Sequence, residues 1–145
     1  MERVDAWRWL LRTHAAVVPA IAADLARAGV VPLAWYDVLL ELANAPDRRL
    51  RMSQLGERAV LSRTRVSRIV DELEREGLVE RVADPHDRRA TIAALTPAGR
   101  RAVARAAPHY LDSVERHFSS LLDDHEREVV ARALQKVAEH HRARP

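Results

Sequence analysis

Three arginines fall within six residues, Arg63, Arg65 and Arg68, interleaved with Ser62, Thr64 and Ser67 and with no carboxylate among them. Arginine offers a planar fork of donors that fits guanine edges or phosphate oxygens, and small hydroxyls reach bases or backbone, so this chemistry suits duplex DNA. Asp87, Arg88 and Arg89 form a second basic group further on, and arginine is favoured in narrow minor grooves. A solvated helix face and a soluble hairpin end would carry the same residues, so each group alone leaves both readings open.

Other chemistries lack their residues. The absence of cysteine removes disulfides, thiolate catalysis and thiolate-bound zinc. None of the four glycines stands in a phosphate-loop or dinucleotide context. Asp123 and Asp124 are adjacent and read better as a helix cap than as catalytic carboxylates, and no local signature joins a serine to a histidine. His109, His117 and the His140–His141 pair have neither metal-site spacing nor carboxylates placed to complete one. No enzyme activity, cofactor or metal is expected.

The basic run must be positioned by the stretch from Leu61 to Leu78. Ser62 suits an N-cap, Leu61 and Val66 a hydrophobic staple, and Val66, Ile69, Val70 and Leu73 form one buried helical stripe. Gly77 supplies a left-handed stop, with Leu78 placed to meet Leu73. Opposite the stripe lie Thr64, Arg68, Asp71 and Arg75, flanked by Arg65 and Ser67; the first half is basic and the second acidic. Just before it, Ser53 reads as the cap of a short helix, QLGERA, separated from the longer one by Val60, Leu61 and Ser62. A short helix, a tight turn and a longer helix with a basic front edge is the helix-turn-helix arrangement.

Charge agrees with this placement. The segment from Arg48 to Arg101 holds 13 arginines against 8 acidic residues, while the other 91 residues hold 11 basic and 13 acidic ones. A positive middle between slightly negative ends points to a polyanionic partner. With 145 residues and 48% hydrophobic content, one domain or two lobes sharing a core are expected. No run of 18 apolar residues and no signal-peptide core is present, so the chain reads as soluble and cytoplasmic, with no membrane partner.

A long amphipathic helix is expected from Val4 to Ala28, ended by Gly29, with Pro19 kinking or splitting it. His14 falls on its apolar face, as a packed residue or a ligand contact. Pro32 opens a second helix to about Ala45, apolar on two sides through Leu33, Tyr36, Leu39, Leu40 and Ala43 and through Trp35, Val38 and Leu42. Turn residues to Arg51 precede a very short strand. After Gly77 the pattern shifts to period two around DPHDRR, a β-hairpin with Arg88 and Arg89 at its tip. Thr96 and Pro97 start a helix to about Leu122, bent at Pro108; Asp123 and Glu126 start a last helix to about His141, and HHRARP reads as a frayed tail. The terminal helices carry more apolar stripe than the middle can cover, so a twofold homodimer is expected, which would present two recognition helices about 34 Å apart.

These elements, with the run S-x-x-x-V-[ST]-R-x-V-D-x-L-E-x-x-G-L-V-x-R and the D-x-x-D-R-R segment ending in L-T-x-x-G, resemble the MarR family of winged helix-turn-helix repressors. The resemblance implies a mainly α fold with a small β-hairpin wing: an N-terminal dimerisation helix (1–31), a winged helix-turn-helix lobe (32–96) and C-terminal dimerisation helices (97–145). It implies a ligand-responsive repressor, acting as a homodimer on a pseudo-palindromic operator in double-stranded DNA. Ser62, Thr64, Arg65, Ser67 and Arg68, together with Arg63 of the same run, look like the groove-facing set; Arg88 and Arg89 look like the wing set, with Asp87 orienting an arginine. Small aromatic or phenolic effectors are implied in a crevice between dimer helices and winged lobe, which His14, Trp35, Tyr36 and Tyr110 would line by placement, core packing being the competing reading for each. The alternatives are a helical dimerisation or adaptor protein and a ligand-blind architectural DNA binder.

Overall fold

The computed structural model describes residues 1–142. Its elements follow as α1 (Asp5–Ala28), α2 (Leu33–Ala43), a 3-10 turn (Pro46–Arg48), β1 (Arg49–Arg51), α3 (Met52–Arg58), α4 (Arg63–Arg75), β2 (Val79–Asp84), β3 (Asp87–Leu95), α5 (Pro97–His117), a second 3-10 turn (Ser119–Leu121) and α6 (Asp124–Arg142). The fold is thus mainly α with one small antiparallel sheet, as expected. Two compact units result: Ala22–Tyr110, and Met1–Ile21 with the chain from Leu111 onward.

In the first unit, α2 is the central element because it is apolar on two sides. Tyr36, Val38, Leu39 and Leu42 are all buried on it. Val38, Leu39 and Leu42 pack into one core with Leu50 of β1, Leu55 of α3, Val66, Ile69, Val70 and Leu73 of α4, Val79 of β2 and Ala93 of β3. Each fully buried leucine contributes about 1.5–3 kcal/mol relative to exposure. The sheet runs in the order β1-β3-β2, with Leu50 opposite Ala93 and Val82 opposite Ile92. Period-two alternation places Leu50 on the core side between the exposed Arg49 and Arg51.

The cap chemistry read from the sequence holds at α4. The Arg65 N–H donates to Ser62 Oγ at 3.3 Å. At the other end, Gly77 adopts φ +71, its N–H donates to the Glu74 carbonyl and the Leu78 N–H to the Leu73 carbonyl. That is the paired bonding of a Schellman stop. Thr96 caps α5 by accepting the Gly99 N–H at 3.0 Å, and Asp123 and Glu126 cap α6 reciprocally at 2.8 Å each.

Several details differ from expectation. Ser53 is not a cap: α3 begins at Met52 with Arg51 at its N-cap, whose N–H donates to Gln54 Oε1 at 3.1 Å. The chain enters α3 straight from β1, which leaves Ser53 inside the first turn. Helices α1 and α5 run unbroken through Pro19 and Pro108, so of the kink or split expected at Pro19 the split does not occur. Each proline deprives one carbonyl four residues back, and Ala15 and Ala104 are exposed, so water can take those bonds. Helix α5 stops at His117 and not near Leu122. In the expected tail HHRARP, His140 to Arg142 are helical, and residues 143–145 lie outside the described region.

In the second unit, α1, the end of α5 and α6 leave large apolar side chains in the open, among them Trp7, Trp9, Leu11, Leu111 and Val137. An apolar groove of about 370 Å³ runs between Trp9, Leu10, Phe118, Leu122, Val130 and Leu134. No single helix is long and apolar enough to cross a membrane.

Candidate nucleic-acid interface

The α4 stripe buries Val66, Ile69, Val70 and Leu73, and a helix that commits one face to the core must offer the other to solvent. Ser62, Arg63, Thr64, Arg65, Ser67 and Arg68 are all exposed. The two halves of the helix are used differently. Asp71 and Glu74 both take the Arg81 guanidinium of β2, and Glu74 Oε2 also accepts the Arg81 N–H at 3.1 Å. Glu72 Oε2 accepts the Trp35 indole N–H at 2.9 Å, joining α4 to α2. The acidic half therefore anchors the helix to its neighbours. Of the basic half, Arg63 alone approaches a carboxylate, Glu57 at 3.7 Å, and both side chains are well exposed, a pair of little energetic weight. Among the described residues Arg65 and Arg68 have no acidic partner.

The hairpin turn is shorter than its sequence suggested: only Pro85 and His86 lie between β2 and β3. Asp87, Arg88 and Arg89 therefore open a strand, and successive strand side chains point to opposite faces. Arg89 lines a cleft of about 540 Å³ with Arg51, Ser53, Ser67 of α4 and Arg81; Arg88, exposed, belongs to the other face. Asp87 Oδ1 accepts the Arg89 backbone N–H at 3.0 Å. The residue expected to orient an arginine thus shapes its backbone.

Three side chains at this edge were not among the expected site residues, Arg51, Arg81 and Asp84, although Arg81 closes the first motif run and Asp84 opens the second. Asp84 is only 4% exposed, yet both its oxygens are satisfied, Oδ1 by the His86 N–H at 2.9 Å and Oδ2 by the Arg51 guanidinium at 2.7 Å. The His86 bond and the adjacent cation hold its carboxyl below the ordinary carboxylate range. Neither end of the pair could be matched from sequence, because 32 residues of chain lie between them.

Of the four residues considered for an effector, Trp35, Tyr36 and Tyr110 lie in the first unit and His14 in the other. Tyr36 and Tyr110 pack with ring centroids 4.7 Å apart, and burial raises the pKa of both phenols. Trp35 turns to Glu72 instead. His14 is exposed on the part of α1 that belongs to the other unit. Among the described residues, no group of three or more His, Asp or Glu could hold a metal ion.

Beside the tyrosines, burial and then the Glu41 charge one helical turn away push the Asp37 carboxyl up to about 6. Folding therefore favours its neutral form: stability is gained as pH falls through 6 and lost as pH rises through it. A two-unit shift corresponds to about 3 kcal/mol, which partial solvent access reduces. Asp37→Asn is expected to stabilise the protein by about 1–2 kcal/mol at pH 7.5 and by little near pH 4. Urea unfolding at both pH values checks this, and an equal change at both would remove the titration as its cause.

A protein-family profile described as MarR family matches residues 30–90. A curated relative, the putative transcriptional regulatory protein for the hcr operon of Thauera aromatica, is 32% identical over 109 residues, which are 75% of this chain and 63% of the relative. Two curated relatives are spanned to only 52% and 63% of their own lengths. Among solved structures, AbsC, a MarR family transcriptional regulator from Streptomyces coelicolor, superposes with a TM-score of 0.86 at 31% identity, over 99% of this chain and 98% of that one. Sco3205, a MarR family transcriptional regulator from the same organism solved in complex with DNA, gives 0.85 at 31% identity over 93% and 84%.

Proposed function

This chain belongs to the MarR family, and on that premise we propose that it is a transcriptional regulator, not an enzyme, that binds duplex DNA in a sequence-specific manner. One observation carries the reading: α4 spends its acidic half on Arg81 and Trp35 and keeps Arg65 and Arg68 unpaired at its exposed front, with Arg89 of the wing lining the adjoining cleft. Arginines left without partners next to a groove-sized cleft are available to a polyanion. In this reading Arg65 and Arg68, with Ser62, Arg63, Thr64 and Ser67, face the major groove, and Arg88 and Arg89 act at the wing. Sco3205, the DNA-bound relative, supports a DNA partner for this chain.

The working form is a homodimer. Its support is the apolar surface of α1, α5 and α6, where Trp7 and Trp9 are each 60% exposed and Leu111 is 64% exposed. Contiguous exposed apolar surface of this kind marks an interaction site, and twofold pairing gives a palindromic operator its matching symmetry. Leu134→Glu, placed in the apolar groove, is expected to convert dimer into a 16.4 kDa monomer. Light scattering after size exclusion checks this, and an unchanged dimer would move the interface off this groove.

The regulator acts in the cytoplasm as a repressor, and a small aromatic or phenolic effector shifts it to a form that binds DNA less tightly. Linkage limits that loss of affinity to the effector's preference for the non-binding form. The decisive experiment is an anisotropy titration of the protein onto the DNA upstream of its own gene, against a shuffled duplex, at two salt concentrations. Preference for the upstream fragment that survives higher salt supports the reading. Equal, salt-labile binding to both duplexes favours an architectural binder. No binding to either duplex, or to duplexes selected from a random pool, favours an adaptor that uses its apolar helices.

A further inference from the structure

We propose that Arg51 and Asp84 form a clamp that holds the wing in its DNA-binding position, with Arg51 acting on the hairpin and not on DNA. The inference rests on the DNA-binding reading above and assigns a role to a pair outside the groove-facing residues.

The sheet itself supplies the reason a clamp is needed. Strand β1 pairs only with Ile92, Ala93 and Ala94 of β3. The distal part of the hairpin, from Ala83 to Thr91, is therefore a two-stranded ribbon, and such ribbons are marginal in water unless something else holds them. The ladder is also irregular there, with a register shift between Ala83 and Asp84. Asp84 sits at that shift, immediately before the Pro85–His86 turn. Because β3 lies between β1 and β2, the Arg51 guanidinium reaches past the middle strand to Asp84, the last residue of β2, at 2.7 Å.

The pair thereby joins two things that the ladder leaves loosely connected. Arg51 is fixed at its own end, since it closes β1 and its N–H caps α3 through Gln54. Asp84 is fixed at the other, since its second oxygen accepts the His86 N–H of the turn. One carboxylate thus ties the turn to the helix-turn-helix front, and at 4% exposure it has few other partners to turn to. Arg81, held by Asp71 and Glu74 of α4, secures the proximal part of the same hairpin. Arg88 and Arg89 lie just beyond the turn, so the direction in which they project depends on the distal clamp.

The test is a double-mutant cycle on duplex binding, with the duplex preferred in the titration above or, failing that, one selected from a random pool. Asp84→Asn keeps an acceptor for the His86 N–H and loses the ion pair; Arg51→Met removes the same pair from the other side, and Arg51→Lys retains its charge. Asp84→Asn and Arg51→Met are each expected to weaken binding by about 3- to 30-fold in the parent and less than twofold when Arg88 and Arg89 are already alanine, with Arg51→Lys recovering most of the loss. Amide hydrogen exchange at His86 and Arg89 is expected to quicken in both variants while amides of α4 keep their protection. Equal losses in both backgrounds overturn the proposal, as does unchanged exchange at the turn. If one variant fails to fold, the other decides. If the parent protein binds no duplex, the DNA reading falls, and exchange alone judges the clamp: faster exchange confined to the turn sustains it, unchanged exchange ends it.

Discussion

Replacing Arg65 and Arg68 with alanine is expected to weaken binding to the preferred duplex by about 1–3 kcal/mol for each arginine that forks onto a guanine edge, or roughly 5- to 150-fold. A twofold dimer carries two copies of the change, so the loss per complex is larger still. The expectation follows from what the two side chains do not do. Neither meets a carboxylate among the described residues, and both are exposed, Arg68 opposite the buried stripe of Val66, Ile69, Val70 and Leu73 and Arg65 on its flank. Their removal leaves the core intact, so the melting temperature should stay within about a degree or two of the parent, as for other surface changes. Affinity for a shuffled duplex should fall much less, because phosphate contacts are not sequence-dependent. Equal losses on both duplexes would assign the two arginines to the phosphate backbone and remove their part in reading bases.

The largest stability effect is expected at Gly99→Ala. Gly99 lies in the first turn of α5, where helix propensity alone would favour alanine by about 1 kcal/mol. Its surroundings reverse that sign. A Cβ built there would fall well inside contact distance of the Leu78 carbonyl oxygen and 2.6 Å from Leu95 Cδ1. The carbonyl belongs to a backbone that cannot retreat freely: the Leu78 N–H completes the stop of α4, the Leu78 oxygen accepts the Thr96 N–H, and Thr96 Oγ1 donates to the Gly77 oxygen at 2.6 Å. Relief requires the end of α4 and the start of α5 to separate. We expect a loss of about 3 kcal/mol, or about 10 °C in Tm for a chain of this size. Gly56→Ala is the matched control, since there the nearest atom is the flexible Arg63 Cγ at 3.1 Å, and that change should be close to neutral. Thermal unfolding of both variants checks the pair, and a Gly99→Ala protein as stable as the parent would show that this junction yields at little cost.

Gly99 also marks a boundary in what the chain discloses. The L-T-x-x-G pattern singles the residue out in the sequence, but its reason is an approach between two segments that sequence does not place together. The same holds for α3, whose cap is Arg51 and not Ser53 because β1 leads directly into it. It holds for the hairpin too, where the two-residue turn puts Arg88 and Arg89 on a strand and divides them between its faces. The prolines of α1 and α5 are a further instance: proline costs one bond wherever it falls in a helix, and both helices continue past it where the residue four back, Ala15 or Ala104, is exposed.

Features whose causes lie within a turn or two of chain are legible in the order of residues. Helix α4 is the clearest case, since Ser62, the Val66–Leu73 stripe and Gly77 act on their immediate neighbours and each does in the structure what its residue type requires. The caps at Thr96 and Asp123, the two-sided packing of α2 and the cationic front of α4 belong to the same class. Tertiary structure alone decided which charges remain available. Arg65 and Arg81 are alike as residues, but β2 brings Arg81 to Asp71 and Glu74, while among the described residues no carboxylate pairs with Arg65. Likewise Arg51 reaches a buried Asp84 only because β3 inserts between their strands. An ion pair depends on distance in space, which the order of residues along the chain does not contain.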